Sequence, residues 1–202
     1  MSRVFKQTYY TAEDYLTLER NAPYKSEFHD GEIYAMTGAS RQHNLIAFNI
    51  AGELRDQLKN RPCEAYIGDM RVKAATARSY HYPDITVVCG TPQFEDAHVD
   101  TLLNPTVLIE VLSPSTEAYD RGGKFAHYRK IASLCEYLLV TQDQPSIERY
   151  LRQGDVWLLT EAVELDATVS LESIGCTLNL REVYDKVLDD ADENSEADES
   201  VN

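Results

Sequence analysis

Thr106-Val107-Leu108-Ile109-Glu110-Val111-Leu112 is an apolar run with a single ionisable residue inside it. Such a run is expected of a strand covered on both faces, and its period of two puts Leu108, Glu110 and Leu112 on one side. Burying an unpaired carboxylate there costs on the order of several kcal/mol, so Glu110 predicts a partner. Upstream, residues 81–89 alternate, with Tyr82, Asp84, Thr86 and Val88 on one face and Pro83, Ile85 and Val87 on the other. They read as a second strand with Asp84 inside it. Downstream, Ser113-Pro114-Ser115-Thr116 and Asp120-Arg121-Gly122-Gly123-Lys124 lead into a helix with the apolar stripe Phe125, Tyr128 and Ile131. Lys124, four residues before Tyr128, lies on the edge of that stripe.

Two carboxylates on neighbouring β runs and an ammonium group from the following helix are the parts needed to hold Mg²⁺ beside a phosphate. Mg²⁺ takes oxygen ligands octahedrally, usually with one or two protein carboxylates and the rest water or phosphate. The structural alternative makes Pro83-Asp84 a turn, pairs Glu110 with a core arginine and leaves Lys124 lying along apolar surface. Taken singly, each residue fits that alternative; taken jointly, they favour the metal.

These residues recur within a series of short motifs: 10–16 (YTAEDYL), 27–33 (EFHDGEI), Ser40-Arg41-Gln42-His43, Asp69-Met70-Arg71-Val72, Tyr82-Pro83-Asp84, 110–116, 120–124 with Tyr128, and Glu136-Tyr137-Leu138-Leu139-Val140. In order and spacing the chain resembles the Uma2-like restriction endonuclease family, whose members look like divergent PD-(D/E)xK nucleases. The resemblance covers most of positions 8–185. It implies a mixed α+β (α/β) fold with a restriction-endonuclease-like αβββαβ core, an added N-terminal β-hairpin and a C-terminal β extension.

The resemblance also implies an activity: a metal-dependent endonuclease that breaks phosphodiester bonds, most readily in DNA. Asp84, Glu110 and the backbone carbonyl of Val111 would bind Mg²⁺ or Mn²⁺, and Lys124 would orient the nucleophile or stabilise developing charge. One departure matters. In (D/E)xK the lysine lies two residues after the acid, on the same strand face, and that position here is Leu112. Lys124 is the substitute.

Three further residues are candidates for supporting ligands or phosphate contacts. Glu27 lies in the first arm of a hairpin over 26–37 turning at Asp30-Gly31. His43 falls in the first turn of a helix over 41–58 capped by Ser40. Asp69 lies in a strand over about 63–73. A purely structural, hydrogen-bonded role competes for each.

At 202 residues, 43% hydrophobic and 26% charged, the chain reads as one domain over 1–188 with an acidic, disordered tail over 189–202. No run approaches the roughly 18 apolar residues of a membrane span, and the N-terminus lacks the apolar region of a secretory signal. Cys63, Cys89, Cys135 and Cys176 are widely spaced without a CxxC pair, which reads as free thiols in a reducing cytoplasm, with a disulfide left open. The net charge of −15 opposes a polyanionic substrate. Its distribution softens the objection: residues 55–78 hold six basic and three acidic residues, and 121–130 hold four basic and none acidic. Both stretches are expected to flank the site.

Elsewhere, Thr11 caps a helix over 13–20, 90–105 is a polar connection, and 136–141 is a strand. A hairpin follows over 146–151 and 156–160, with Trp157 as packing. Strands at 168–171 and 177–180 are expected to extend the sheet before a last helix over 180–188. No glycine-rich nucleotide loop or Ser/His/Asp arrangement is present. The competing function class is a nuclease-fold binding module without turnover; an RNA nuclease differs only in substrate. A homodimer is expected by analogy with nucleases that cut both strands.

Overall fold

Thr11 starts the first helix, α1 (Ala12–Asn21), with a reciprocal cap: its hydroxyl accepts from the Asp14 N–H while the Asp14 carboxylate accepts from the Thr11 N–H. A computed structural model of the protein describes residues 9–74 and 79–188, so the tail at 189–202 lies outside the described residues. β1 (Ser26–His29) and β2 (Glu32–Ala35) form the expected hairpin. Its turn residues Asp30 (φ 45°) and Gly31 (φ 94°) are both left-handed, as a two-residue hairpin turn requires. α2 (Arg41–Leu58) begins where Ser40 Oγ accepts from the His43 N–H, and buries Ile46, Ala47, Ile50, Leu54 and Leu58.

Two strands expected to be continuous are broken. Residues 63–73 divide into β3 (Cys63–Ile67) and β4 (Arg71–Lys73), which belong to different sheets, with left-handed Gly68 (φ 62°) at the bend. Residues 81–89 divide likewise into β5 (Ser79–His81) and β6 (Ile85–Cys89). Pro83 has no N–H to give a ladder, and the chain changes sheets at Tyr82-Pro83-Asp84. Asp84 therefore stands at the mouth of β6, not within a strand.

β7 (Thr101–Leu102) lies inside the connection read as polar coil and pairs parallel with β4. Next come β8 (Val107–Val111) and a helical run made of α3 (Glu117–Tyr119), a π-helical turn (Asp120–Lys124) and α4 (Phe125–Tyr128). The chain ends in β9 (Glu136–Val140), β10 (Ser146–Gln153), β11 (Val156–Val163), β12 (Thr168–Leu171), β13 (Cys176–Asn179) and α5 (Leu180–Val183).

The larger sheet has the order β11-β10-β9-β8-β6-β3, antiparallel except for β8–β9. Within it, α2, β3, β6, β8, the helical run and β9 give the αβββαβ order. A second sheet, β2-β1-β5-β4-β7, carries the hairpin. β12 and β13 form a separate two-stranded sheet instead of extending the large one; Val169, Leu171 and Leu178 pack into the core that α2 shares with Ile85, Val87, Ile109 and Leu138. On the opposite face Val88, Leu108, Leu112 and Leu139 pack against Tyr128 and Ile131 of the helical segment. Trp157 packs edge-on to Phe125 at 5.4 Å, with Arg152 over its ring.

The expectation of four free thiols is corrected for two of them. Cys63 and Cys89 oppose each other in the β3–β6 ladder and are joined in a disulfide, while Cys135 and Cys176 are free. The pairing depends on strand register, which spacing in the chain does not disclose, and it removes the thiol-based argument for a reducing compartment. No helix among the described residues is long and apolar enough to cross a membrane.

Candidate active site

The six-stranded sheet ends its β6–β8 ladder with Ile85 opposite Ile109. One residue beyond, the same register brings Asp84 and Glu110 side by side. Asp84 Oδ2 accepts from the Val111 N–H at 2.7 Å and lies 3.2 Å from His43 Nε2, so both contacts fall on one carboxylate oxygen. Glu110 Oε1 accepts from the Tyr128 hydroxyl at 3.0 Å and lies 3.3 Å from Lys124 Nζ. Among the described residues no guanidinium pairs with Glu110.

Lys124 reaches Glu110 from the π-helical turn, a feature that recurs at functional sites. Gly123 is needed in that turn because a Cβ there would stand 2.5 Å from the Tyr119 ring. The ammonium group is also 2.9 Å from Asp120 Oδ1 and 3.5 Å from Glu27 Oε1. Glu27 comes from β1, in the other sheet, and is held by the Tyr82 N–H at 3.0 Å and by His81 Nδ1 at 3.1 Å. Asp84, Glu110, Lys124, Glu27 and His43 all line one cleft of about 1070 Å³, together with Val111. Asp69 is not with them: it is exposed beside the Gly68 bend and pairs with Lys25 at 2.8 Å.

The electrostatics are those of too much negative charge around one ammonium. Burial pushes Glu110 well above the usual carboxylate range; Lys124 opposes this, but Asp120, Asp84 and Glu27 push it further up. Burial likewise disfavours the Lys124 cation, yet Glu110, Glu27 and Asp120 outweigh it and hold the lysine well above its ordinary value. Burial would raise Glu27 too; Lys124, His81 and the Tyr82 amide reverse that and bring it down to about 2. His43 is raised, because the Asp84 carboxylate outweighs burial.

Asp120, Tyr128 and His81 contribute to this cluster without having been named as site residues from the sequence. The signals were present: Asp120, Lys124 and Tyr128 stand at successive intervals of four, and His81 immediately precedes Tyr82-Pro83-Asp84. The donor set facing the cleft is mainly carboxylate oxygen, the set that suits Mg²⁺ or Mn²⁺. A divalent cation would offset the burial and the repulsion from Asp120, Asp84 and Glu27 that push Glu110 up.

The expected basic flanks look different in three dimensions. Arg71 pairs with Asp100, Lys73 with Glu95, Arg121 with Glu117 and Glu148, and Lys124 with the acids above. Arg55 and Lys59 are exposed, and with Arg61 and Phe48 they line a separate groove. Arg71, Lys73, Arg121 and Lys124 thus spend their charge on partners within the protein, while Arg55, Lys59, Arg61, Arg129 and Lys130 stay exposed, a division that sequence counting cannot anticipate.

Comparison with known proteins agrees with this architecture. The profile of the Uma2 family, described as "Putative restriction endonuclease", matches residues 12–181. Two uncharacterized proteins of Synechocystis sp., sll1609 and slr1290, are 41% and 35% identical over 160 and 173 residues; these spans cover 79% and 85% of this chain and 90% of each relative. A crystal structure from Anabaena variabilis, of "a putative nuclease belonging to DUF820", superposes with a TM-score of 0.73 at 20% identity, over 88% of this chain and 99% of that one. At that identity the likeness establishes the fold, which is restriction-endonuclease-like.

Proposed function

The chain belongs to the Uma2 family, and we propose that it is a Mg²⁺- or Mn²⁺-dependent endonuclease acting on DNA. The observation that carries the reading is Glu110: a carboxylate buried in an apolar strand, beside Asp84 at the end of the same ladder, with Lys124 arriving from the following helix. Asp84, Glu110 and the Val111 carbonyl are the groups that would hold the ion. When bound, such an ion lowers the pKa of a water and neutralises charge on a scissile phosphate.

The other roles follow from the protein's own groups. Lys124, held as an ammonium by three carboxylates, serves as a charge-stabilising donor to phosphate oxygen and not as a base. Glu27, ionised and fixed by Tyr82 and His81, fastens Lys124 to the second sheet. His43, drawn toward its protonated form by Asp84, offers a second cationic donor on the cleft wall.

The test is a Mg²⁺ titration with supercoiled plasmid and with single-stranded DNA and RNA oligonucleotides, comparing the parent chain with Asp84→Ala, Glu110→Ala and Lys124→Ala. Loss of cleavage by roughly 100-fold or more in each variant is expected, since metal and charge-stabilising groups contribute on that scale. Cleavage that persists in Asp84→Ala overturns the assignment. A parent that binds nucleic acid without cutting it supports the binding-module reading instead.

A further inference from the structure

Beyond the carboxylate cluster, His29, Asp30 and His127 bring two imidazole nitrogens and one carboxylate oxygen within 4.8 Å of one another. His29 ends β1, Asp30 opens the hairpin turn and His127 sits on α4, so the trio joins the second sheet to the helical run that carries Lys124. The two rings meet edge-on with centroids 4.6 Å apart. Ser79 of β5 stands between them, its Oγ 3.2 Å from His29 Nδ1 and 3.0 Å from His127 Nδ1. Where the hydroxyl oxygen accepts from an Nδ1–H group, it fixes that ring's tautomer and leaves its Nε2 with a lone pair. Proteins use such a partner to orient histidines that ligate metals.

A second observation comes from a neighbouring side chain. His81 Nε2 is buried without a hydrogen-bond partner among the described residues. Its ring lies against the cluster, 6.3 Å from that of His127. Water bound to an ion would supply a partner of the kind it lacks.

We propose that His29, Asp30 and His127 form a second metal site, for a borderline transition ion of the Zn²⁺ class and not for Mg²⁺. Imidazole with one carboxylate suits Zn²⁺, Co²⁺ or Ni²⁺, whereas an oxygen-only set suits Mg²⁺. Three protein ligands leave a position for water. Tetrahedral bonds of about 2.0–2.1 Å put donors about 3.4 Å apart, so the trio closes by about an ångström on binding. Asp30, with its side chain about half exposed, is free to swing. The ion would clamp the hairpin to α4, two residues from Glu27 and three from Lys124. The proposal rests on this geometry and stands apart from the nuclease reading.

The test uses the full chain without an affinity tag, stripped with chelator and held in excess Mg²⁺ to occupy the carboxylate site. Co²⁺ is titrated by visible absorption, and Zn²⁺ by competition with a chromophoric chelator. One equivalent of tight uptake is expected, lost in His127→Gln, weakened at least 10-fold in Asp30→Asn, and unchanged in Asp84→Asn. Asp30→Asn guards against misfolding, because the position is exposed and asparagine tolerates its positive φ. No uptake by the parent chain overturns the proposal. So does uptake that survives in both His127→Gln and Asp30→Asn but disappears in Asp84→Asn.

Discussion

Tyr82 separates two ionic clusters, its hydroxyl belonging to one and its N–H to the other. On the hydroxyl side, Arg71 and Arg20 converge on Asp100 at 2.9 and 2.8 Å, Arg20 also holds Asp96, and Arg71 donates to Thr101 and Tyr82. Glu19 adds a third acid, which accepts from the Tyr82 hydroxyl and from Ser26, and Asp100 is held far below the usual carboxylate range, first by its hydrogen bonds from Arg20. On the N–H side, Glu27, Asp84, Glu110 and Asp120 face Lys124 and His43, and burial with the surrounding acids pushes Glu110 up. Both clusters perturb their carboxylates, so perturbation alone does not mark a site. The contrast lies at Glu110, which burial and three neighbouring acids raise in spite of Lys124, whereas Glu27 beside the same lysine is lowered.

The largest effect that would sharpen this contrast is Lys124→Met. It leaves Glu110 and Asp120 buried beside one another without an ammonium, an expected loss of about 3–5 kcal/mol in urea unfolding, together with loss of cleavage. A cost below about 1 kcal/mol, the scale of an exposed pair, would break the comparison. Arg71→Met comes next. Asp100 keeps Arg20, so the expected cost is about 1.5–3 kcal/mol, that of losing charged hydrogen bonds. Cleavage per folded molecule should stay within a few-fold of the parent, which a quantitative plasmid assay would check.

Two smaller effects concern pH. Glu110 has a raised folded-state pKa, so the folded protein binds more protons than the unfolded chain as pH rises through the ordinary glutamate value of 4.5. Stability in metal-free buffer should therefore fall with rising pH from that point up to the raised folded value. Glu110→Gln should flatten the slope in thermal melts. Glu27 works in the other direction. With its folded pKa near 2 against an ordinary 4.5, its contribution is complete above 4.5 and is lost as pH falls toward 2. Glu27→Gln should remove that part of the acid limb and, at neutral pH, lose the stability that the Lys124 ion pair and the hydrogen bonds from His81 and Tyr82 contribute.

Much of this was written locally in the chain. The αβββαβ order came with the family resemblance carried by the short motifs, and Glu110 stands out because an acid in an apolar strand has no packing reason to be there. Lys124 could be placed by its interval of four to Tyr128. What stayed hidden depends on distant partners. Gly68 and Pro83 break strands because the chain there passes from one sheet to the other. The Cys63–Cys89 bond needs the β3–β6 register. Arg71, Lys73 and Arg121 looked like a basic surface until Asp100, Glu95 and Glu148 arrived from elsewhere. Asp69 shares a motif with Arg71, but it lies past the bend on the exposed side.

The central claim is that the acid-rich cluster is unfinished without a divalent cation and the arginine cluster is complete. Calorimetric titration of Mg²⁺ into the parent chain, Asp84→Asn, Glu110→Gln and Arg71→Met tests it directly. Binding in the parent and in Arg71→Met, with loss in the other two, is the predicted result. Mg²⁺ binding of parental affinity in Asp84→Asn would contradict it.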